Sequence, residues 1–366
     1  MKNQRFRKLL DAILVPLLAV LSGLVVMGIL IVILKKPLFE SYAILFSKGF
    51  GCEAYGNCIF ITALERATPL ILTGLSAVVA FRSGMFSIGQ EGQYLMGAAA
   101  AAWLGYAIHL PPVLHALVLM IAAMLVGAGY GWIPGILKVK LGVNELLATI
   151  MLNSIAALSI EYLVQFPMRA DRSAAAHSPV IDESAQLMSF LPGSRWGVGF
   201  VIAVLAVILV YIYLWRTKPG YEQRMAGQSG KFAFYGGIRS DRSAIRAMLI
   251  SGALAGLAGA IEVMGVHRRI MTGFSVGLGF DGLTSAILGQ THPIGVFIVA
   301  ILFSGLKLGA QLGLQLKLEI PRELGGTIIG FIILFVAAGK LYEENIIRVR
   351  DWFIRKRGSN LKGERG

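Results

Sequence analysis

The stretch FRSGMFSIGQEGQYLMGAAAAAW, residues 81–103, sets polar and charged side chains between two long apolar runs. Arg82, Gln90, Glu91 and Gln93 fall inside it, together with four glycines. An ionisable side chain at membrane depth costs at least about 2.5 kcal/mol, so it normally faces a cavity, a pathway or a partner. The stretch therefore predicts a helix broken by its glycines, in which freed backbone and polar side chains line or brace a polar route.

The composition of the whole chain is that of a membrane protein. Of its 366 residues, 56% are hydrophobic and only 15% are charged, and the mean hydropathy is +0.71. Runs long enough to cross about 30 Å of hydrocarbon as helices recur along nearly the whole length. We predict an all-α polytopic membrane protein of about ten transmembrane helices. The predicted spans are residues 9–34, 62–81, 92–109, 114–137, 145–166, 198–215, 244–264, 283–288, 293–314 and 324–338.

The placement of lysine and arginine predicts how these spans are oriented. Most of these residues fall in segments that one topology puts on the same side of the membrane, as the positive-inside rule requires. That topology gives a cytoplasmic N-terminal tail at residues 1–8, a transmembrane domain at 9–339, an outer loop at 167–197, a cytoplasmic loop at 216–243 and a basic cytoplasmic tail at 340–366. Membrane orientation thus explains the net charge of +14, and we expect contact with membrane lipid and none with nucleic acid.

The predicted outer loop before the second span carries both cysteines of the chain, Cys52 and Cys58. A disulfide closing this short loop would suit the oxidising side of a membrane. Two free thiols fit the sequence equally well, and the spacing does not decide between the two possibilities.

Motifs of enzymes and of metal sites are absent from the sequence. There is no HExxH, CxxC or GxSxG, and the five histidines lie scattered without ligand spacing. The segment GQSGKF at residues 227–232 departs from the phosphate-loop pattern GxxxxGK[ST] at its first glycine and after Lys231. We therefore predict no enzymatic activity, metal or cofactor in this chain, so active transport would draw its energy from an ion gradient or from another subunit.

A second group of polar residues follows in NELLATIMLNSIA, residues 144–156. Spacings of four or five place Glu145, Thr149 and, more loosely, Asn153 along one side of a helix. This pattern predicts a polar stripe that faces the interior of the bundle. The stripe would line a route or join helices by hydrogen bonds, and Asn144 and Glu145 also suit a helix N-terminal cap.

A third group lies in GFSVGLGFDGLTSAILGQTHPIG, residues 273–295. Its FSVGLGFDG and the FSIGQEG of the first stretch both run Phe-Ser-aliphatic-Gly and then reach an acidic residue followed by Gly. The predicted topology orients the two halves of the chain oppositely, so the match predicts an inverted repeat with broken helices around a transport site. The candidate residues of the substrate pathway are Gln90, Glu91, Gln93, Asn144, Glu145, Asn153 and Asp281. The alternative is that Glu91 braces the broken helix, against Arg82 for instance, and touches no solute.

Five motifs in order resemble those of one family. They are GMFSIGQEGQYLMGA, NELLATIMLNSIA, SGALAGLAGAIEVMG, GFDGLTSAILGQTHPIG and LGGTIIGFIILFV, within residues 64–338. Together they look like the membrane permease subunit of bacterial ATP-binding-cassette importers, in the simple-sugar and nucleoside branch. The patterns are more similar to purine-nucleoside permeases than to ribose permeases. Ser87 stands where that branch commonly has Asn, so a solute contact at this position does not carry over.

The resemblance implies an assembly of several proteins in the bacterial inner membrane. It implies two permease chains, often different ones, a pair of ATPase subunits that bind and hydrolyse ATP, and an extracytoplasmic solute-binding lipoprotein. It favours a nucleoside as the imported solute, with a simple sugar of the ribose type as the alternative. This chain would cross the membrane several times, with both termini in the cytoplasm.

The cytoplasmic loop contains GQSGKFAFYGGI, residues 227–238, which resembles the coupling segment GxNPxAAxYAGI of this family. Ser229, Gly230 and Phe232 replace the usual Asn, Pro and Ala, so we expect a surface fitted to a particular ATPase. Apolar residues flanked by charge also favour a contact surface. The predicted ATPase contacts are Gly227, Phe232, Ala233, Phe234, Tyr235 and Gly237. The alternative is that these rings only rest in the lipid interface.

Two other classes of function remain open. An ion-coupled secondary transporter would also show inverted repeats and acids at membrane depth. Its candidate ion-carrying residues are Glu91, Glu145, Asp281 and Lys307. A structural membrane scaffold would give no solute-dependent signal at all. Transport by the isolated chain under an imposed ion gradient, without ATP, separates the ion-coupled class from the ATP-driven one.

Overall fold

The computed structural model describes residues 25–29, 31–33, 35–52, 58–170, 175–191, 193–274, 277–315, 317 and 330. Of the predicted first span, only residues 25–29 and 31–33 are described, and they are helical. Apart from residue 330, the predicted last span and both predicted tails lie outside the described residues. Within the described ranges the regular secondary structure is helical, which confirms the all-α prediction there.

The α-helices of the described residues are numbered in chain order. They are α1 (Leu38–Phe50), α2 (Ile59–Phe81), α3 (Gln90–Ala107), α4 (Pro112–Leu141), α5 (Glu145–Gln165), α6 (Val198–Arg216), α7 (Lys218–Gln228), α8 (Gly230–Tyr235), α9 (Ser240–Ile261), α10 (Leu278–Leu288) and α11 (Pro293–Gly309). Two π-helical turns, Glu262–His267 and Ala310–Gln315, continue α9 and α11. The chain divides into two compact units, one being Phe50–Gly305 and the other Met1–Gly49 with Leu306–Gly366. Helices α2 to α10 all belong to the first unit.

Six helical segments of the described residues are long and apolar enough to cross a membrane. They are Ile59–Phe81, Pro112–Leu141, Glu145–Gln165, Val198–Arg216, Ser240–His267 and Pro293–Gln315. Each corresponds to a predicted span, so the chain is a multi-pass membrane protein. Only 22%, 33% and 33% of the apolar windows of α4, α5 and α6 are buried, which leaves aliphatic surface suited to lipid. Helix α3 is not among these six segments, and α10 is shorter than they are. The total of ten spans stays a prediction.

Helix α9 packs against α2, α3 and α4. Small residues let these backbones approach closely. A Cβ built on Gly127 of α4 would lie 2.3 Å from the carbonyl oxygen of Gly252, and one built on Gly97 of α3 would lie 2.4 Å from Cα of Gly256. Close backbone approach is a main source of helix association where lipid competes for apolar surface.

The break predicted within the first stretch is present, but only two of its four glycines lie in it. Helix α2 ends at Phe81 and α3 begins at Gln90. The irregular residues between them, 82–89, are called the break segment below and contain Gly84, at a φ of 79°, and Gly89. The expectation that all four glycines break the helix is wrong, because Gly92 and Gly97 lie inside α3 and serve close packing.

The segment at residues 216–243, predicted as a loop, is mostly helical. Helices α7 and α8 follow α6 almost without interruption. The side-chain oxygens of Thr217 and Ser229 accept backbone N–H groups at the N-termini of α7 and α8. Hydropathy does not reveal α7, because its sequence KPGYEQRMAGQ has no continuous apolar face.

The described residues of the predicted outer loop, 167–170, 175–191 and 193–197, lie at the other end of α6 and are irregular. They contain a 3-10 turn at Glu183–Ala185 and an isolated bridge between Ser189 and Gly197. A second bridge joins His177 to Met271. Cys52 and Cys58 form a disulfide, which answers the question that their spacing left open.

Candidate functional site

Two helix N-termini meet at Glu91. Helix α3 begins at Gln90 and α10 at Leu278, and the backbone N–H of Gly279 donates a 2.6 Å hydrogen bond to Oε2 of Glu91. The approach is close, because a Cβ built on Gly279 would lie 2.5 Å from Cα of Glu91. Unpaired N–H groups and the helix dipole make an N-terminus positive, so the two ends stabilise a carboxylate here. Glu91 therefore holds the two broken helices together.

Gln90 and Gln93, the neighbours of Glu91 in the sequence, are enclosed by the chain. Their side chains are 0% and 1% exposed. Both amide atoms of Gln90 and Oε1 of Gln93 have no hydrogen-bond partner among the described residues. Tyr94 continues the same face of α3, and its buried ring stacks on Phe274 with centroids 5.9 Å apart. These amides lie inside the fold of this chain, and solute contact for them stays a prediction.

The polar stripe of α5 bonds the backbone around the break segment. Oγ1 of Thr149 accepts a 3.2 Å hydrogen bond from the N–H of Ile88. Oδ1 of Asn153 accepts from the N–H of Gly92 at 2.9 Å, and its Nδ2 donates to the carbonyl oxygen of Ile88 at 2.8 Å. Backbone groups that the broken helix frees are thus satisfied by a neighbouring helix, as hydrocarbon surroundings demand.

The first residues of α5 have local structural roles. Oδ1 of Asn144 accepts the N–H of Leu146 at 2.9 Å, so Asn144 is the N-cap of α5. Glu145 forms a 2.7 Å ion pair with Lys138 of α4, and its Oε1 lies 3.5 Å from the backbone nitrogen of Phe86. These contacts agree with the capping and bonding alternatives that the sequence left open for both residues.

Asp281 lies in the first turn of α10, two residues after Gly279. The helix dipole favours an acid at this position. On one side α10 packs closely on α2, since a Cβ built on Gly282 would lie 2.0 Å from Oγ1 of Thr73. The side chain of Asp281 is partly buried and that of its neighbour Phe280 is exposed. Of the predicted pathway residues, Asp281 therefore lies next to an exposed face of α10.

Arg82 bonds the other end of α10. Its Nε donates a 2.9 Å hydrogen bond to the carbonyl oxygen of Thr291, and its Nη2 lies 3.5 Å from that of Gln290. Gln290 and Thr291 form the turn between α10 and α11 at φ values of 53° and 51°, a region that residues other than glycine seldom adopt. The described bonds of Arg82 thus go to the far end of α10 and not to Glu91, contrary to the pairing considered from the sequence.

Arg82 also belongs to a cluster around Trp215, near the end of α6. The guanidinium carbons of Arg82 and Arg224 lie 5.4 and 5.5 Å from the centroid of the Trp215 ring, within cation–π range. The ring of His292 lies 4.8 Å from the same ring. Burial and the nearby charge of Arg224 lower the pKa of Arg82, and burial and the charge of Arg82 lower the pKa of His292. The cluster joins the ends of α2 and α6, helix α7 and the α10–α11 turn.

Helix α7 rests on the end of α2 through direct backbone contact. A Cβ built on Gly227 would lie 2.5 Å from the carbonyl oxygen of Arg82 and 2.7 Å from the nitrogen of Gly84. Gln223, which is fully buried, donates a 2.6 Å hydrogen bond from Nε2 to the carbonyl oxygen of Val79. The predicted coupling residue Gly227 therefore contacts the break segment of its own chain.

Helix α8 presents the predicted coupling rings outward. Phe232, Phe234 and Tyr235, called the α8 ring surface below, are 65%, 75% and 88% exposed. Ala233 is only 1% exposed, so it packs α8 onto the chain and adds nothing to that surface. Gly237 follows at a φ of 75°, where a side chain would be strained, and turns the chain toward α9. Three exposed rings on one short helix are typical of a docking surface.

Sequence reasoning missed Gly279, Thr291 and Gln223. Gly279 and Thr291 act through main-chain groups, which leave no side-chain signal in a sequence. Gln223 lies in a polar run where no apolar period marks a helix. Among the residues that the structure describes, no group of three or more His, Cys, Asp or Glu side chains is placed to hold a metal ion.

Comparison with known proteins identifies the family of this chain. The family profile described as "Branched-chain amino acid transport system / permease component" matches residues 59–337, more than half of the chain. The guanosine ABC transporter permease protein NupP of Bacillus subtilis is 35% identical over 306 residues, which cover 83% of this chain and 87% of NupP. The nucleoside ABC transporter permease protein NupB of Lactococcus lactis is 31% identical over 84% of this chain and 85% of NupB.

A sugar permease is similar to nearly the same degree. The glucose ABC transporter permease protein TsgB13 of Haloferax volcanii is 30% identical over 80% of this chain and 79% of TsgB13. No solved structure matches the chain. The membrane helices, the broken pair α3 and α10 and the family match lead to one conclusion: the chain belongs to the permease subunits of ATP-binding-cassette importers, which are transporters and not enzymes.

Proposed function

We propose that this chain is a permease subunit of an ATP-driven nucleoside importer in a bacterial cell membrane. The α8 ring surface is the observation that carries the ATP-driven part. Three exposed rings on a helix of six residues suit burial in a groove of another protein, where aromatic anchors supply much of the binding energy. Two relatives named for guanosine or nucleoside transport, at 35% and 31% identity, support the choice of solute.

The proposed assembly contains partners that supply what this chain lacks. Two ATPase subunits bind and hydrolyse ATP, and one of them receives α8 on the cytoplasmic side. A second permease chain, of the same or a related sequence, completes the membrane part. A solute-binding lipoprotein delivers the nucleoside on the outer side. ATP-driven movement of α8 then changes the contact between the broken helices α3 and α10.

The proposed route passes the point where α3 and α10 meet. Glu91 is bonded to Gly279 and both glutamines are enclosed, so these side chains become available to solute only when the two helix N-termini separate. Asp281 is partly buried next to the exposed Phe280, and in this proposal it meets the solute before Glu91 and the glutamines do. Asn144, Glu145 and Asn153 act by holding helix ends and the break segment in place.

Docking is tested by placing a charge on the α8 ring surface. Tyr235→Glu, at the most exposed ring, should abolish co-purification of the ATPase and solute uptake, because a carboxylate cannot be buried unpaired in an apolar groove. Tyr221→Glu is the matched control, since Tyr221 is also exposed but lies on α7. A Tyr235→Glu complex that retains its ATPase and imports normally would show that the rings only rest on lipid.

The solute is tested by competition against uptake of labelled inosine. Excess guanosine should suppress uptake and excess ribose should not. The similarity to TsgB13, at 30% identity, supports a simple sugar as the second candidate. Suppression by ribose but not by guanosine would favour that candidate.

The energy source is tested in proteoliposomes. The complete complex should import nucleoside only when ATP is available to the ATPase subunits. This chain alone, under an imposed proton or sodium gradient without ATP, should import none. Import under the gradient alone would favour an ion-coupled secondary transporter, with Glu91, Glu145, Asp281 and Lys307 as its candidate ion carriers.

A further inference from the structure

Helix α10 is bonded at both of its ends by a short stretch of chain, residues 82–91. At its N-terminus, Gly279 donates to Glu91 at 2.6 Å, and just beyond its C-terminus, Thr291 accepts from Arg82 at 2.9 Å. Helix α10 has 11 residues, which corresponds to a length of about 16 Å. The two bonds are therefore well separated, and they add to the packing on α2 that positions α10.

The bond from Arg82 falls on a strained turn. Gln290 and Thr291 are consecutive residues with a side chain in the left-handed region. Such a conformation persists where the surroundings hold it, and it recurs in segments that switch. Nε and Nη2 of Arg82 reach the carbonyl oxygens of both residues, and His292 packs beside Arg82 on Trp215. The N–H groups of the turn bond to carbonyl oxygens of α10 and Gly289, and the guanidinium group of Arg82 adds contacts to its own carbonyl oxygens.

The same arginine stands at the contact with α7. The backbone of Gly227 touches the carbonyl group of Arg82 and the nitrogen of Gly84, with no side chain between the two segments. Gln223, one turn earlier on α7, is bonded to Val79 at the end of α2. Close-packed backbone has no slack to absorb a shift, so a displacement of α7 is passed on to residues 82–84.

We propose that Arg82 is the positioning residue that carries movement of α7 into α10. The inference rests on the proposed function, in which an ATPase moves α8, and it names the connection from that movement to the broken helices. A shift of α7 displaces residues 82–84 through the contact at Gly227. The turn at residues 290–291 then moves as well, because Arg82 is bonded to it. Helix α10 then pivots at this end, and its N-terminus separates from Glu91 at the other end.

The experiment compares four complete complexes in proteoliposomes: wild type, Arg82→Met, Arg82→Lys and Arg216→Met. Methionine keeps most of the aliphatic length of arginine but donates no hydrogen bond. Lysine donates to one carbonyl oxygen but does not span two. Arg216 is the matched control, because it is exposed near the same end of α6 and is positioned next to Trp215 in the chain. ATP hydrolysed and labelled nucleoside imported are measured in the same samples.

Arg82→Met should hydrolyse ATP near the wild-type rate but import about fivefold less nucleoside per ATP, the low end of coupling between distant sites. Arg82→Lys should recover part of the loss, and Arg216→Met should couple like wild type. A purely structural role would lower ATPase assembly and import together and leave their ratio unchanged. An Arg82→Met complex that imports the wild-type amount of nucleoside per ATP overturns the inference alone. A wild-type complex that assembles no ATPase overturns the proposed function and the inference with it.

A second measurement holds even if Arg82→Met fails to assemble. Spin labels at Phe86 and Ile287, which are 58% and 43% exposed, report the separation between the break segment and α10 in an otherwise wild-type chain. The proposed connection requires that this separation stay constant between the ATP-free and ATP-bound states. It also requires that the accessibility of the label at position 287 change with ATP. A separation that changes by many ångströms, or an accessibility that does not respond to ATP, contradicts the connection.

Discussion

At the scale of single residues, Glu91 is a carboxylate kept inside a helix bundle by main-chain groups. A hydrogen bond to a charged group contributes about 1.5–3 kcal/mol, and each 1.4 kcal/mol or so corresponds to a factor of ten in rate. We therefore predict that Glu91→Ala lowers nucleoside uptake about tenfold or more. Membrane insertion should stay normal, because removal of an acid lowers the insertion cost. Uptake measured at equal amounts of membrane-inserted protein checks this, and unchanged uptake would exclude a role for Glu91.

His292 gives a prediction about acid. Its pKa is lowered by burial and by the charge of Arg82, so the folded chain binds fewer protons there than the unfolded chain does. Stability should therefore fall as the pH drops below the ordinary histidine pKa of about 6.5. His292→Phe keeps a ring against Trp215 but cannot titrate. The thermal unfolding midpoint in detergent should lose its decline below about pH 6.5 in this variant; the same decline in both proteins would count against the assignment.

At the scale of helices, the polar stripe of α5 supplies hydrogen bonds to backbone groups in and next to the break segment, which is not helical. Asn153→Leu keeps roughly the size of the side chain but leaves the N–H of Gly92 and the carbonyl of Ile88 without their partner. Each buried backbone group left unbonded costs about 1–3 kcal/mol, so the unfolding temperature should fall clearly. Ser154→Leu is the control, because Ser154 is exposed on the same helix. Equal thermal stability of the two variants would refute the bonding role of the stripe.

The pattern of residues predicted these elements better than it predicted their partners. Glycines among polar residues predicted the break, and the spacing of Glu145, Thr149 and Asn153 predicted the inward stripe. Neither pattern predicts that the polar stripe bonds the backbone around the break segment. The bonded groups at Ile88 and Gly92 are backbone groups, which are common to every residue. For the same reason the sequence did not separate glycines that break a helix, such as Gly84, from those that let helices approach.

At the scale of the whole molecule, the orientation in the membrane is a prediction from charge that a direct test can check. Tyr235→Cys in α8 should react with a membrane-impermeant thiol reagent in inverted vesicles but not in intact spheroplasts. Met188→Cys, exposed in the predicted outer loop, should show the opposite pattern. The native cysteines are joined to each other and add no free thiol in either case. Labelling of both positions from the same side would contradict the predicted topology.

Hydropathy was sufficient for the long spans but not for the contact between α3 and the shorter helix α10. The six spans of the described residues were predicted because their apolar runs exceed the thickness of the hydrocarbon. Apolar runs also predicted spans at residues 92–109 and 283–288, but they did not predict that α3 and α10 begin at Gln90 and Leu278 or that their N-termini meet. That contact depends on the absence of a Cβ at Gly279, a property of three-dimensional packing that no local pattern records.

The direct backbone contact between Gly227 and the break segment has a consequence for how the sequences of related permeases diverge. The α8 ring surface lies several residues further along the chain, so its side chains can change to suit a different ATPase while the contact at Gly227 stays as it is. The contact at Gly227 does not tolerate even a small side chain, because a methyl group on Gly227 would collide with the backbone around Arg82 and Gly84. Under the proposed function, the choice of ATPase and the transmission of movement therefore depend on different residues: exchanging the rings of α8 between relatives should exchange their ATPases and leave the contact at Gly227 intact.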